Sequence, residues 1–145
     1  MKDKLINQVP ERTFALVFDR GDEVMSVLER FAGEHGLTAG RLTAIGALER
    51  ATLGYFDWER KDYERIPVNE QVEVLSLVGD VALDRGKPKL HIHAVLGRRD
   101  GTTLGGHLLE ALVRPTPEVL LIDSPGYLQR ERDPASGLAL INIGA

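Results

Sequence analysis

Apolar and polar residues alternate along much of this chain, in short runs separated by clusters of Gly, Pro, Asp and Asn. That period predicts strands. Arg12–Phe18 (R-T-F-A-L-V-F) reads as a first strand, ended by Asp19-Arg20-Gly21. The period then changes. Val24, Val27, Leu28 and Phe31 recur at helical spacing, so a helix is expected from an N-cap at Asp22 through Glu34, with Gly36 near its stop. Strand patterns resume at Leu37–Leu48, where Gly46 is expected to let another backbone approach, and at the aromatic Ala51–Trp58. Asp62–Val68 reads as an edge strand with Pro67 near its end. Glu70–Leu83, Leu108–Val113, Glu118–Asp123 and Gly137–Ile143 add apolar strands around a charged stretch, Tyr127–Asp133. Turn residues fall at Asp84-Arg85-Gly86, Arg114-Pro115-Thr116-Pro117 and Ser124-Pro125-Gly126. One helix among many strands predicts an α+β domain with a mainly antiparallel sheet, and the length of 145 residues suits a single domain.

The chemistry concentrates in Leu90–Leu108, L-H-I-H-A-V-L-G-R-R-D-G-T-T-L-G-G-H-L, which holds three of the four histidines. His91 and His93 alternate with Leu90, Ile92, Ala94 and Leu96, so in a strand both imidazoles leave one face and the aliphatic residues the other. Arg99-Asp100-Gly101 offers a three-residue hairpin loop with glycine at the left-handed position. If Arg98 lies opposite Thr102, Val95 faces Gly105 and His93 faces His107, and three imidazoles converge. A two-residue turn at Asp100-Gly101 would set His107 opposite Ala94, on the wrong face unless a bulge at Gly105-Gly106 restores it.

Composition narrows the chemistry. The absence of cysteine excludes disulfides, thiolate metal sites and cysteine nucleophiles. The first residues lack the apolar run of a signal peptide and no segment has the roughly 20 apolar residues of a membrane helix, so a cytoplasmic location is expected. A net charge of −4 is no electrostatic footprint for a nucleic-acid binder, although Arg85, Lys87 and Lys89 form a local basic segment ahead of the histidines.

Several motifs occur in order over nearly the whole chain: R-G-D-E (Arg20–Glu23), A-I-G-A-L (Ala44–Leu48), L-G-Y-F-D (Leu53–Asp57), V-E-V-L-S-L-V-G (Val72–Gly79), H-I-H-A-V-L-G (His91–Gly97) and D-G-x-x-x-G-G-H-L (Asp100–Leu108). Together they resemble the plant and prokaryote conserved domain. The resemblance implies a stand-alone prokaryotic member with a strongly bent antiparallel sheet, assembled as a homotrimer. Plant members join the domain to AT-hooks that bind DNA, and prokaryotic members carry a DNA-binding label for that reason. This sequence contains no Arg-Gly-Arg-Pro AT-hook core. The fold is also similar to that of acetolactate decarboxylase, whose zinc is held by an H-x-H pair and a later histidine. The spacing of His91, His93 and His107 resembles that set.

Three neutral imidazoles with an open fourth position suit a catalytic rather than a closed structural metal site, and favour Zn, Ni, Cu or Fe over Mg or Ca. The expectation is a divalent metal, zinc first, on His91, His93 and His107, supporting a lyase- or hydrolase-like step on a small oxygen-rich acid. The plainer alternative is that these rings hydrogen-bond within the sheet or pack at a subunit contact. Two further readings are a DNA-associated regulatory protein and a metal-stabilised trimeric scaffold without catalysis. Glu73, set among Val72, Val74 and Leu75, is the candidate general base or partner of an imidazole; otherwise it pairs with a buried arginine or lies on the outer face. Arg20 and Arg130 are candidate anion binders or salt-bridge partners. His35, beside Gly36, is expected to favour the helix dipole.

Overall fold

Two long strands organise the molecule, as the computed structural model of residues 10–124, 126 and 128–143 makes plain. Strand β1 (Arg12–Val17) leads to helix α1 (Val24–Glu34). Strand β2 (Ala39–Asp57) then runs 19 residues without interruption, joining two runs expected as separate strands. After β3 (Asp62–Val68), β4 (Val72–Asp84) and β5 (Lys87–Gly97), strand β6 (Thr103–Asp123) runs 21 residues, straight through the Arg114–Pro117 stretch expected to break it. The short β7 (Gln129–Arg132) and β8 (Ala139–Asn142) close the chain. Pro125 and Tyr127, at the expected last turn and the start of the charged stretch, lie outside the described residues, as do residues 1–9.

Long strands survive because irregularities bend them instead of ending them. Strand β2 pairs antiparallel with β4 and β6, and its register shifts between Ala44 and Gly46 against β4 and at further points against β6. Gly46 has φ +146, and a Cβ there would sit 2.4 Å from the carbonyl oxygen of Thr116 and from Pro117 Cα. Only glycine lets the two backbones come that close. Since β5 pairs with both β4 and β6, the strands β2, β4, β5 and β6 close into a ring through antiparallel pairs. The observed class is thus a mostly antiparallel, strongly bent sheet with one helix among the described residues. One parallel pair, β4 with β7, adds the terminal hairpin.

The core fills this bent sheet. Leu42, Leu48, Leu53, Val81, Ile92, Leu96, Leu108 and Leu121 are almost fully buried on its inner face, against Val24, Leu28 and Ala32 of α1. Burying side chains of this size stabilises the fold by about 1.5–3 kcal/mol each. The helix cap differs from expectation by one residue: Glu23 is the N-cap and accepts hydrogen bonds from the backbone of Met25, Ser26 and Ala111. Glu23 reaches the neighbouring strand as well as the helix, whereas Asp22 turns back to accept from Asp19 N. At the other end His35 Nδ1 meets the Phe31 carbonyl at 3.0 Å, and its ring stacks on Phe31 at 3.9 Å.

The outer face of the ring is apolar in one region. Val17, Ile45, Leu75, Val78 and Leu120 are each at least half exposed and border a groove of about 470 Å³. Among the described residues no helix is long and apolar enough to cross a membrane.

Candidate metal centre

Alternation along β5 sorts its residues as expected. Leu90, Ile92, Ala94 and Leu96 are buried on the inner face, leaving His91 and His93 on the outer one. The loop to β6 has three residues: Arg98 N donates to Thr102 O at 2.8 Å, and Gly101 N to Arg98 O at 3.0 Å. Gly101 takes φ +82, and the Asp100 carboxylate accepts from Thr102 N. This loop sets Val95 opposite Gly105 and His93 opposite His107. The two-residue alternative does not occur, and the β5–β6 ladder runs through Gly105 and Gly106 without the repairing bulge.

Three ring nitrogens, one from each of His91, His93 and His107, lie within 4.8 Å of one another. His91 Nε2 and His93 Nε2 are 3.1 Å apart. Tyr63, reaching over from β3, stacks on His107 with ring centroids 4.6 Å apart. His107 Nδ1 is buried and finds no hydrogen-bond partner among the described residues. An orphaned imidazole nitrogen beside two other imidazoles disagrees with the plainer expectation of rings satisfied by sheet hydrogen bonds. It fits a nitrogen donor set suited to a cation. Ligands about 2.0–2.1 Å from a tetrahedral ion are roughly 3.3 Å apart, close to the observed His91–His93 separation.

The local electrostatics favour the ligating form of His91 and His107. Burial, helped by the neighbouring His91, His93 and Lys89, pushes His107 down to about 4. Burial also lowers His91, against the upward pull of Asp80 and with help from His93 and Arg130. Neutral imidazoles keep a lone pair free near pH 7.

Two carboxylates on β4 have different fates. Glu73 is exposed, opposite Ala47 and Gly97. Asp80 lies directly opposite His91, with Oδ2 4.0 Å from His91 Nδ1. Positions 73 and 80 are separated by roughly 20 Å at the usual strand rise. Glu73 therefore does not join the histidines, because Val72 and Val74 take the core side and leave it outward at the far end of the strand. Asp80 is the carboxylate that sequence reasoning missed. Its signal was available in the Arg85-Gly86 turn, which sets Asp84 opposite Lys87 and hence Asp80 opposite His91.

Arg130 comes from β7 with its side chain only 4% exposed and forms an ion pair with Asp80. It thus serves a salt bridge beside the site, one of the two fates expected for it. Arg20 stays exposed in the loop before the helix. Of the expected basic segment, Lys89 is paired with Glu29 at 3.2 Å, while Arg85 and Lys87 are exposed at the β4–β5 turn. A cavity of about 180 Å³ opens beside the imidazoles, lined by Tyr63, His91, His107, Arg130, Leu138 and Leu140 among others.

The profile of the Plants and Prokaryotes Conserved (PCC) domain matches residues 7–125. Among solved structures, a metal-containing protein of Archaeoglobus fulgidus is 37% identical, with TM-score 0.88 over 97% of this chain and 99% of that one. A plant- and prokaryote-conserved protein of Pyrococcus horikoshii is 31% identical, with TM-score 0.90 over 98% and 97%. A Bacteroides thetaiotaomicron protein described as a candidate for DNA binding is 28% identical, with TM-score 0.88 over 92% and 93%. No curated protein matches the chain. With the expected motifs, the bent sheet and these likenesses in agreement, the chain belongs to the Plants and Prokaryotes Conserved domain family.

Proposed function

We propose that this protein binds a divalent metal, zinc first, through His91, His93 and His107, and uses it on a small oxygen-rich acid in a lyase- or hydrolase-like step. The observation that carries the reading is the gathering of three imidazole nitrogens within 4.8 Å on one outward face. Thiolate-free, all-nitrogen ligation suits zinc and its neighbours better than magnesium or calcium. When bound, such a metal supplies Lewis acidity toward an oxygen of the ligand or of water. The chain's own contribution is to keep His91 and His107 neutral by partial burial, to hold His107 against Tyr63, and to offer an adjoining space of about 180 Å³. A space of that size suits a small ligand. The metal content named for the Archaeoglobus relative supports the same reading.

The chain is proposed to act as one domain that assembles with copies of itself, as a homotrimer. Soluble monomers rarely leave a contiguous apolar patch of this kind exposed, and Ile45, Leu75, Val78 and Leu120 are the residues a neighbouring copy would cover. DNA binding has weaker support: the net charge is −4, and Lys89 already has an acidic partner. Metal analysis of the purified protein, with each histidine changed to Ala in turn, tests the reading. The expected result is about one metal per chain in the parent and loss in each variant; undiminished metal in all three variants overturns it. Sedimentation in the ultracentrifuge checks the assembly, and duplex DNA titrations at low salt check the second reading.

A further inference from the structure

We propose that Asp80, held by the buried Arg130, is the positioning residue of the histidine trio. It orients His91 so that Nε2, and not Nδ1, is presented to the metal. The inference rests on the metal reading above. It joins Asp80, inside the matched residues 7–125, to Arg130, which the hairpin beyond them supplies.

The geometry is set by three pairings. Asp80 and His91 are cross-strand partners on the outward face of β4 and β5. Asp80 Oδ2 is 4.0 Å from His91 Nδ1, while the opposite ring nitrogen, Nε2, is the one 3.1 Å from His93 Nε2. The carboxylate thus addresses one side of the ring and the neighbouring imidazole the other. A carboxylate on the Nδ1 side favours the tautomer with its proton on Nδ1, which leaves the Nε2 lone pair free to ligate.

Arg130 keeps that carboxylate in place. The guanidinium takes the other carboxylate oxygen, Oδ1, through Nη2, and Nη1 donates to Ala139 O at 3.2 Å. A guanidinium with a side chain 4% exposed requires a charge partner, so Asp80 is bound to its position by Arg130's burial as well as by its own backbone. The parallel pairing of Asp84 with Arg130 at the end of β4 brings the arginine there. Gly79 completes the arrangement. A Cβ at residue 79 would meet His91 O at 2.6 Å, so glycine permits the close β4–β5 approach next to Asp80.

The test uses the full chain and cobalt(II) as a spectroscopic stand-in for zinc. Affinity is read by competition with a chromogenic chelator, and ligand-field absorption reports the donor set. Asp80→Asn is expected to weaken cobalt and zinc binding about 10–100-fold and to shift the cobalt bands, as loss of a carboxylate that orients a ligating imidazole does. Asp84→Asn removes a carboxylate that lines the same cavity but lies opposite Lys87, and is expected to change affinity less than twofold. Because Asp80→Asn leaves Arg130 buried without its counter-charge, the double variant Asp80→Asn/Arg130→Met is measured beside it. Removing both charges restores balance, so it is expected to melt near the parent and still show the weakened binding and shifted bands. Affinity and spectrum unchanged in both Asp80 variants, with the parent binding cobalt, overturn this inference and leave the metal reading standing. A parent chain that takes up no cobalt or zinc overturns both.

Discussion

The two ends of strand β4 make an instructive pair. Each presents a carboxylate on the outward face of the same strand, Glu73 next to its start and Asp80 four residues before its last residue. Asp80 has an imidazole opposite it and an arginine on its flank. Glu73 looks across at Ala47 and Gly97, beside the exposed apolar side chains of Ile45 and Leu75. Apolar neighbours in sequence therefore say little about an acid's role. What stands across the ladder decides it, and that is set by turn lengths some distance away.

The contrast between the ends can be broken most severely at the imidazoles. Each of His91→Ala, His93→Ala and His107→Ala should lower zinc affinity by more than about a hundredfold, beyond the effect usual for an outer partner; isothermal titration reads it. Beneath the histidines, Ile92→Ala should cost about 2–5 kcal/mol of stability in denaturant unfolding, because Ile92 is fully buried between them on the opposite face. Glycines give a finer test. Gly79→Ala should cost about 1–3 kcal/mol through its clash with the His91 carbonyl, whereas Gly105→Ala, with only ordinary contacts, should stay within about 0.5 kcal/mol.

The pH dependence of the metal-free protein sharpens the comparison further. His107 is held near 4 in the fold and titrates near 6.5 when unfolded. The unfolded chain therefore binds the extra proton between these values, so stability falls as pH drops from about 6.5 to about 4. His107→Leu should flatten that slope in melts across this window. Smallest of all, Glu73→Gln should leave metal affinity within twofold of the parent, since its carboxylate faces no imidazole; a tenfold loss would refute the contrast between the ends.

How much of this was legible follows from the range of each interaction. The His93–His107 pairing could be read because one short loop connects the two strands, and the helix because its period is local. The placement of Asp80 opposite His91 is legible in the same way, by counting back from Arg85-Gly86, although the apolar flanks of Glu73 make that acid the more conspicuous one in the sequence. The placement of Arg130 and Tyr63 beside the histidines could not be read so. Arg130 arrives by a parallel pairing and Tyr63 by way of β3, and neither is tied to the histidines by a short turn. The continuity of β2 and β6 was hidden by their own glycines and prolines. Those residues ordinarily end strands, but here Gly46 and the Arg114–Pro117 stretch lie where two long strands bend past each other.

The loop between Arg98 and Thr102 also determines which mutations the histidine trio can survive. Exchanging one residue there for another leaves the count of steps intact. Deleting one does not: His107 would turn toward the inside, or β6 would fall out of step with β2, to which it is laced from Gly40–Asp123 through Gly54–His107. Length, more than lettering, is what lineages carrying this hairpin must preserve.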